Sequence, residues 1–135
     1  MISGIIKKKK VLLVDDDEIH LTIAELYLKD EYEVCKTRSG NEALEYLSGN
    51  ESVPDIILLD IVMPNMSGWE VLKKLKAMDH LKNVPIVFLT TIAEEKEIQR
   101  AHRMGIADYI TKPFNMVDLR SRIKDVLNGY RMKAR

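Results

Sequence analysis

Ile56-Ile57-Leu58-Leu59, at residues 56–59, is a run of four apolar residues that ends at Asp60. The run is too short for a helix, and it lacks the alternation expected of a strand with one face in water. Strands at the centre of a parallel sheet are apolar on both faces because helices cover the sheet on both sides. The stretch therefore predicts a central parallel strand with a carboxylate at its carboxyl end.

On both sides of this run, short apolar segments alternate with longer segments of helical periodicity. Ser39 and Ser67 are each followed three residues later by glutamate, which is the capping box that begins a helix. Asn115 is a typical helix N-cap, and Gly105 is placed to end the preceding helix. The predicted strands are residues 11–14, 33–37, 56–59, 86–89 and 109–111. Five successive strand–helix units predict an α/β fold, a doubly wound five-stranded parallel sheet with five helices.

Apolar residues at helical spacing predict the side that a helix turns toward the sheet, as in the first and last helices. In the first helix these residues are Ile19, Ile23, Leu26 and Tyr27. In the last helix they are Val117, Leu119, Ile123, Val126 and Leu127. We expect both stripes to be buried.

The chain of 135 residues has the length of one domain, which we divide into a basic leader at residues 1–10, a folded domain at 11–128 and a tail or linker start at 129–135. Its 21 Lys and Arg residues balance 21 Asp and Glu residues, so no overall positive field favours nucleic acid. No apolar stretch has the length of a signal or membrane segment. Cys35 is the single cysteine, which excludes an internal disulfide and fits a reducing, cytoplasmic location.

Polar residues follow four of the five predicted strands. Asp15-Asp16-Asp17 follow the first strand, Asp60 the third, Thr90-Thr91 the fourth and Lys112-Pro113 the fifth. The carboxyl ends of parallel strands meet at one edge, which is where ligands bind in open α/β sheets. We therefore expect these side chains to form one site.

The expected set of side chains suits phosphoryl transfer. Clustered carboxylates repel one another unless a cation joins them, and their hard oxygen atoms suit Mg²⁺ or Mn²⁺. A carboxylate can attack phosphorus when a metal and a cationic side chain neutralise the transferring oxygens. Asp60 as the nucleophile, Lys112 as the cation and Thr90 as a hydrogen-bond donor to the phosphoryl group supply these parts.

Four separated motifs resemble the receiver domain of bacterial response regulators. They are Val14-Asp15-Asp16, the segment 58–68 with the sequence LLDIVMPNMSG, Phe88-Leu89-Thr90 and Lys112-Pro113-Phe114. The motifs occur in the right order over about residues 11–127, which makes the resemblance more specific than any one of them. It implies a flavodoxin-like receiver fold with strand order 2-1-3-4-5 and a site at the switch between the first and third strands.

The resemblance also implies a role for each residue at the strand ends. Asp60 would accept the phosphoryl group, which Thr90 and Lys112 would bind. The Mg²⁺ ligands would be Asp15, Asp16, Asp60 and the backbone carbonyl of Val62. Tyr109 would be a switch residue whose ring turns inward as Thr90 moves toward the phosphoryl group. The chain would then be a phosphoacceptor that assists its own phosphorylation and dephosphorylation, rather than an enzyme with a separate substrate.

Partners are implied by the same resemblance. The phosphodonor would be a sensor histidine kinase or a histidine phosphotransfer protein. Phosphorylation would change the face built by the fourth helix, the fifth strand and the fifth helix, where an output domain, an effector protein or a second copy of the chain would bind. The charged residues expected on this face are Arg100, Arg103, Asp108, Asp118 and Arg122.

Several further polar residues have simpler explanations. Asp17 precedes a helix, where an acid more often caps the helix than binds a metal. His20, His80 and His102 lack the spacing of metal ligands, and we assign no function to them. For Lys112-Pro113 the resemblance implies a cis peptide bond.

Two other functions fit parts of the pattern. Haloacid-dehalogenase-type phosphatases also use a first-strand Asp, a second Asp two residues later, a Thr and a Lys. Those enzymes need a further acid pair, whereas Asp118 and Asp125 are predicted on a helix that faces elsewhere, and Asp60 would have no role. A phosphorylation-independent docking module is the third interpretation, and the intact set of Asp, Thr and Lys argues against it.

Overall fold

The computed structural model describes residues 7–49 and 53–133. Five strands and five α-helices alternate along this part of the chain, and a short 3-10 helix at Asp79–Leu81 precedes the fourth strand. The strands are β1 (Lys9–Val14), β2 (Tyr32–Thr37), β3 (Ile56–Leu59), β4 (Ile86–Thr90) and β5 (Asp108–Thr111). The helices are α1 (Glu18–Leu28), α2 (Gly40–Leu47), α3 (Gly68–Lys76), α4 (Glu95–Arg103) and α5 (Met116–Leu127).

All five strands lie in one parallel sheet with the order β2-β1-β3-β4-β5, which confirms the predicted fold. The chain leaves β1 toward β2 on one side and then returns past it to β3, β4 and β5. The reversal of strand order falls between β1 and β3, where Val14 lies beside Leu59. Helices that cross over on opposite faces leave a crevice at such a point.

The side chains of β3 alternate between two hydrophobic layers. Ile57 and Leu59 pack on the face covered by α2, α3 and α4, whereas Ile56 and Leu58 pack on the face covered by α1 and α5. All four are at most 1% exposed. Burying one such side chain contributes about 2 kcal/mol, which is why the run is apolar at every position.

The predicted helix caps are confirmed. The Ser39 Oγ accepts a hydrogen bond from the Glu42 N–H at 3.0 Å, and the Ser67 Oγ accepts one from the Glu70 N–H at 3.3 Å. Asn115 caps α5 in the same way. Helix α4 ends before Gly105, whose φ of 83° favours glycine.

The predicted buried side of α1 is wrong at three of its four residues, whereas the fourth, Tyr27, is partly buried against the core. Ile19 and Leu26 are 69% and 52% exposed, and Ile23 is 36% exposed. The residues of α1 that pack on the sheet are Leu21, Ala24 and Leu28. Both sets fit helical spacing, so the pattern alone cannot choose between them, and the small Ala24 lets the helix approach the sheet closely.

The stripe predicted for α5 is correct except at its start. Leu119, Ile123 and Val126 are buried, whereas Val117 is 74% exposed. At 3.6 residues per turn, Val117 and Leu119 project about 200° apart around the helix, so both cannot face the sheet.

Residues just outside the predicted folded domain continue its first strand and its packing. Strand β1 begins at Lys9, two residues inside the predicted leader, and residues 1–6 lie outside the described residues. Beyond α5 the tail turns back along β5, where the Met132 N–H donates to the Ala107 carbonyl at 2.8 Å and the Met132 side chain is 8% exposed. Within the described ranges, no helix is both long enough and apolar enough to cross a membrane.

Candidate functional site

Backbone hydrogen bonds continue past the strand ends and fix the polar residues there. The Asp60 N–H donates to the Val14 carbonyl at 2.9 Å, and the Lys112 N–H donates to the Thr90 carbonyl at 2.8 Å. Because β1, β3, β4 and β5 are parallel, these bonds bring the polar residues to one edge. The Lys112-Pro113 peptide bond that follows β5 is cis, as expected.

Three carboxylates meet at this edge. Asp15, Asp16 and Asp60 each place an oxygen atom within 4.8 Å of the others. Asp15 and Asp60 are 6% and 8% exposed, whereas Asp16 is exposed to solvent. The predicted acidic cluster is therefore formed, with one open side.

One ammonium group faces the two buried acids. The Lys112 Nζ lies 2.5 Å from the Asp15 Oδ2 and 3.6 Å from the Asp60 Oδ2, and its side chain is 5% exposed. The interaction is strong because little water reaches these atoms. Among residues 7–49 and 53–133, one lysine charge nevertheless stands against three carboxylates, so this cluster keeps a net negative charge.

Burial raises the pKa of Asp60, Lys112 lowers it by charge attraction, and Asp15 raises it by repulsion. The Thr90 hydroxyl and the Val62 N–H also hydrogen-bond to the Asp60 carboxylate and favour its ionised form. The structure thus shows the Val62 backbone at the site through its N–H. Its carbonyl stays a predicted metal ligand.

The donor set fits a hard divalent cation. Carboxylate oxygens close together and open to water on one side are the arrangement in which Mg²⁺ or Mn²⁺ keeps part of its water shell. A cation would also relieve the repulsion between Asp15 and Asp60. The residues present therefore fit the predicted metal.

Gly68 holds the loop after β3 against the site. A Cβ atom at this position would lie 2.3 Å from the Asp60 carbonyl oxygen, which is far inside contact distance. The Gly68 N–H donates to the Ile61 carbonyl at 2.8 Å. Only glycine allows the start of α3 to lie this close to the backbone of Asp60.

A chain of contacts leads from the site to Tyr109. The Thr90 Oγ1 accepts a hydrogen bond from the Ile92 N–H at 3.3 Å, and the Tyr109 hydroxyl donates to the Ile92 carbonyl at 2.7 Å. Burial raises the pKa of Tyr109 to about 12, so the phenol stays protonated and can donate. Tyr109 is 6% exposed, so the ring already has the inward position that was expected after phosphorylation.

His20 is a site residue that the sequence did not reveal. Its Nδ1 lies 2.9 Å from the Lys112 Nζ and 3.6 Å from the Asp15 Oδ2, although the sequence suggested no function for this histidine. Its position in the first turn of α1, five residues after Asp15, was the available signal. Asp17 caps α1 as predicted, accepting from the Ile19 N–H at 2.9 Å. His80 lies elsewhere, against the Leu47 carbonyl.

Two residues expected on the face of α4, β5 and α5 are placed differently. Asp108 is 5% exposed and pairs with Arg122 at 3.4 Å, so it is buried beneath Arg122 and not accessible to a partner. The Arg100 guanidinium lies 4.0 Å from the centre of the Trp69 ring, on the side of α4 that faces α3. Asp118 and Arg122 are on the face, paired with each other at 3.2 Å.

Comparison with known proteins gives consistent matches. A family model described as the response regulator receiver domain matches residues 11–124. The polar-differentiation response regulator DivK of Brucella anthropi is 36% identical over 120 residues, which cover 88% of this chain and 96% of DivK. A protein named "Probable cyclic di-GMP phosphodiesterase" from Vibrio cholerae is 36% identical over 123 residues, and the chain spans 27% of its length.

Solved structures show the same fold. The chemotaxis protein CheY4 of Vibrio cholerae has a TM-score of 0.81 and 32% identity, and the match covers 88% of this chain and 98% of CheY4. The phosphorylated cyanobacterial phytochrome response regulator RcpA has a TM-score of 0.76 and 35% identity, and the match covers 88% of this chain and 91% of RcpA.

Proposed function

We propose, from the premise that the chain belongs to the response regulator receiver domain family, that Asp60 is the residue on which it accepts a phosphoryl group. Membership of the family makes the chain a receiver of two-component signalling. The observation that carries the assignment to Asp60 is its position at the end of β3, with Lys112 at 3.6 Å and oxygen atoms of Asp15 and Asp16 within 4.8 Å.

The surroundings of Asp60 support a nucleophilic role. Its carboxylate oxygen would attack phosphorus while the P–N bond of a phosphohistidine donor breaks, and the leaving imidazole would take the electron pair and a proton. Lys112 would bind one equatorial oxygen of the transferring group and Thr90 another, so that charge is balanced as it redistributes. Both side chains are already beside Asp60, so little rearrangement precedes the reaction.

Asp15, Asp16 and Asp60 would hold Mg²⁺ or Mn²⁺, with the Val62 carbonyl as a further ligand. When bound, the cation supplies positive charge that screens the acids from the incoming phosphoryl group. The cluster carries excess negative charge without it, because Lys112 is the one cation in contact with Asp15 and Asp60 among the residues that the structure describes.

The phosphodonor would bind over the apolar side of α1. Ile19 and Ile23 are exposed there, and a groove of about 430 Å³ lies beside them, lined in part by Phe114 and Pro113. Lys112 is also in the lining, so the groove opens directly beside the acceptor. An apolar surface at the entrance of a phosphoacceptor site fits a histidine kinase or a histidine phosphotransfer protein.

The output surface would be the face of α4, β5 and α5. The contacts from Thr90 through Ile92 to Tyr109 couple this face to the site. A phosphoryl oxygen that binds the Thr90 hydroxyl would hold the inward position of Tyr109, and the face would then bind an effector, an output domain or a second copy of the chain. We place this exchange in the cytoplasm, where kinase and receiver meet.

Incubation with acetyl phosphate and Mg²⁺ followed by intact mass measurement tests the proposal. We expect one phosphoryl adduct on the wild type, none on Asp60→Asn and none with excess chelator. Asp108→Asn is the matched control, because it removes an equally buried acid away from the site, and it should keep the adduct. Absence of an adduct on wild type under every condition would favour the phosphorylation-independent docking module instead.

A further inference from the structure

The ring of His20 contacts the Lys112 ammonium group in the phosphoacceptor site. Its Nδ1 lies 2.9 Å from the Lys112 Nζ, across 92 residues of sequence. The backbone of His20 is held in the first turn of α1, where its N–H donates to the Asp17 Oδ1 at 3.3 Å. The contact is therefore made from a fixed element and not from a loop.

The chemistry of the two groups decides the direction of this hydrogen bond. A lysine ammonium has three donors and no acceptor, so His20 Nδ1 must accept and its ring proton must lie on Nε2. The ammonium thus has two anchors, the Asp15 Oδ2 at 2.5 Å and His20 at 2.9 Å. Its third N–H is left for Asp60, 3.6 Å away.

The two anchors differ in what else they do. Asp15 is a ligand in the proposed metal site, so its oxygens would be shared with a cation. His20 has no such second partner at Nδ1 in the described residues beyond the longer contacts to Asp15 and Asp17 at 3.6 and 3.8 Å. It is therefore the anchor that can hold Lys112 in place throughout phosphorylation.

We propose that His20 is a positioning residue for phosphoryl transfer, whose Nδ1 directs the free N–H of Lys112 toward a phosphoryl oxygen on Asp60. This inference rests on the proposed function of Asp60. His20 acts through Lys112 and does not itself contact the phosphoryl group.

Two substitutions separate this role from packing. The Asn side chain in His20→Asn can place its Oδ1 near the position of Nδ1, whereas His20→Leu fills similar space without an acceptor. With acetyl phosphate and Mg²⁺ we expect His20→Leu to be phosphorylated about tenfold more slowly than wild type, and His20→Asn to recover most of that rate. His20 is 38% exposed at its side chain, so both variants should fold, which equal melting temperatures would verify.

A double-mutant cycle tests whether the effect passes through Lys112. In a Lys112→Ala background, long incubations should give equal slow rates with His20 and with Leu at position 20. If His20→Leu lowers the phosphorylation rate by the same factor with and without Lys112, the inference is overturned. It is also overturned if His20→Asn is phosphorylated no faster than His20→Leu.

A readout without phosphorylation completes the test. In metal-free protein at low temperature, the Lys112 ammonium protons should give an observable NMR signal in wild type and His20→Asn, and exchange too fast to be seen in His20→Leu. A wild type that is not phosphorylated would count against Asp60 as acceptor. A phosphorylated wild type with an unchanged His20→Leu rate and ammonium signal would count against His20 alone.

Discussion

Asp60 and Asp108 are both buried aspartates, and Asp60 follows the last residue of β3 whereas Asp108 is the first residue of β5. They are 8% and 5% exposed, burial raises the pKa of each, and each faces a cation, Lys112 at 3.6 Å and Arg122 at 3.4 Å. Burial and an ion pair are therefore common to both.

The neighbours distinguish the two acids. The Asp108 carboxylate accepts from the Tyr109 N–H at 2.9 Å and from Arg122, so donors surround it. Asp60 also accepts hydrogen bonds from the Thr90 hydroxyl and the Val62 N–H, but it has two further acids within 4.8 Å, one of them open to solvent. A buried acid whose charge is balanced by donors has no spare charge for a ligand, whereas an overcharged acid with an opening can bind a cation and react. The comparison teaches that charge balance, and not burial, identifies the reactive carboxylate.

Removing the cation from each acid should give the largest contrast. We expect Lys112→Ala to lower the rate of phosphorylation by acetyl phosphate on the order of 100-fold, because the transferring oxygens lose a preorganised positive charge. Arg122→Ala should leave the rate within about twofold, since Arg122 pairs with Asp108 and Asp118 rather than with the acids of the site, while lowering the free energy of unfolding by about 1–2 kcal/mol because Asp108 loses a donor. Rates come from intact mass time courses and stabilities from urea unfolding. If both variants lost the same fraction of the phosphorylation rate, Asp60 and Asp108 could not be distinguished by the role of their cations.

The pH dependence of stability should separate the acids next. A raised folded pKa means that the stability contributed by the protonated form is present below the usual value of 3.8 and is lost as pH rises through the folded pKa. Without metal, Asp60→Asn and Asp108→Asn should therefore both gain stability relative to wild type as pH rises from acid to neutral.

Saturating Mg²⁺ should change the stability gain of one of these two variants and not of the other. The cation favours ionised Asp60, so the gain of Asp60→Asn at neutral pH should disappear, while that of Asp108→Asn should persist. Urea unfolding across this pH range, with Mg²⁺ and with chelator, measures both. A gain of Asp60→Asn that Mg²⁺ does not change would show that the cation binds elsewhere.

The smallest predicted change in stability is that of Tyr109→Phe. Tyr109 connects the surroundings of Asp60 with those of Asp108. Tyr109 donates its N–H to Asp108 and its hydroxyl to the Ile92 carbonyl beside Thr90. Tyr109→Phe leaves that buried carbonyl without its donor and should lower the free energy of unfolding by about 1 kcal/mol. Tyr130, at 46% exposure, provides the control, and Tyr130→Phe should change stability by less than half as much. Equal effects would mean that the hydroxyl of Tyr109 has no special partner.

The sequence was informative where one residue type satisfies one local requirement. The apolar run before Asp60 could only be a covered strand, and Ser39 and Ser67 capped helices as predicted. Asp15, Asp60 and Lys112 then come together because each follows the carboxyl end of its strand, and the carboxyl ends of parallel strands share one edge of the sheet.

Sequence patterns failed where tertiary packing chooses between equivalent options. Two apolar stripes on α1 had helical spacing, and most of the stripe containing Ile19 lies in solvent, with Tyr27 as the exception. His20 was overlooked because its partner Lys112 lies 92 residues away, and no local spacing encodes that contact. Asp108 was expected on the surface, and Arg122 covers it.

Chemical trapping of the phosphorylated residue tests the central claim most directly. Borohydride reduces an acyl phosphate to the alcohol, so a phosphorylated aspartate becomes homoserine, which peptide mass spectrometry locates. After treatment with acetyl phosphate and Mg²⁺, we predict homoserine at position 60 and aspartate retained at positions 15, 16 and 108. Homoserine at any of those three positions, with Asp60 unmodified, would contradict the assignment of Asp60 as the phosphoacceptor.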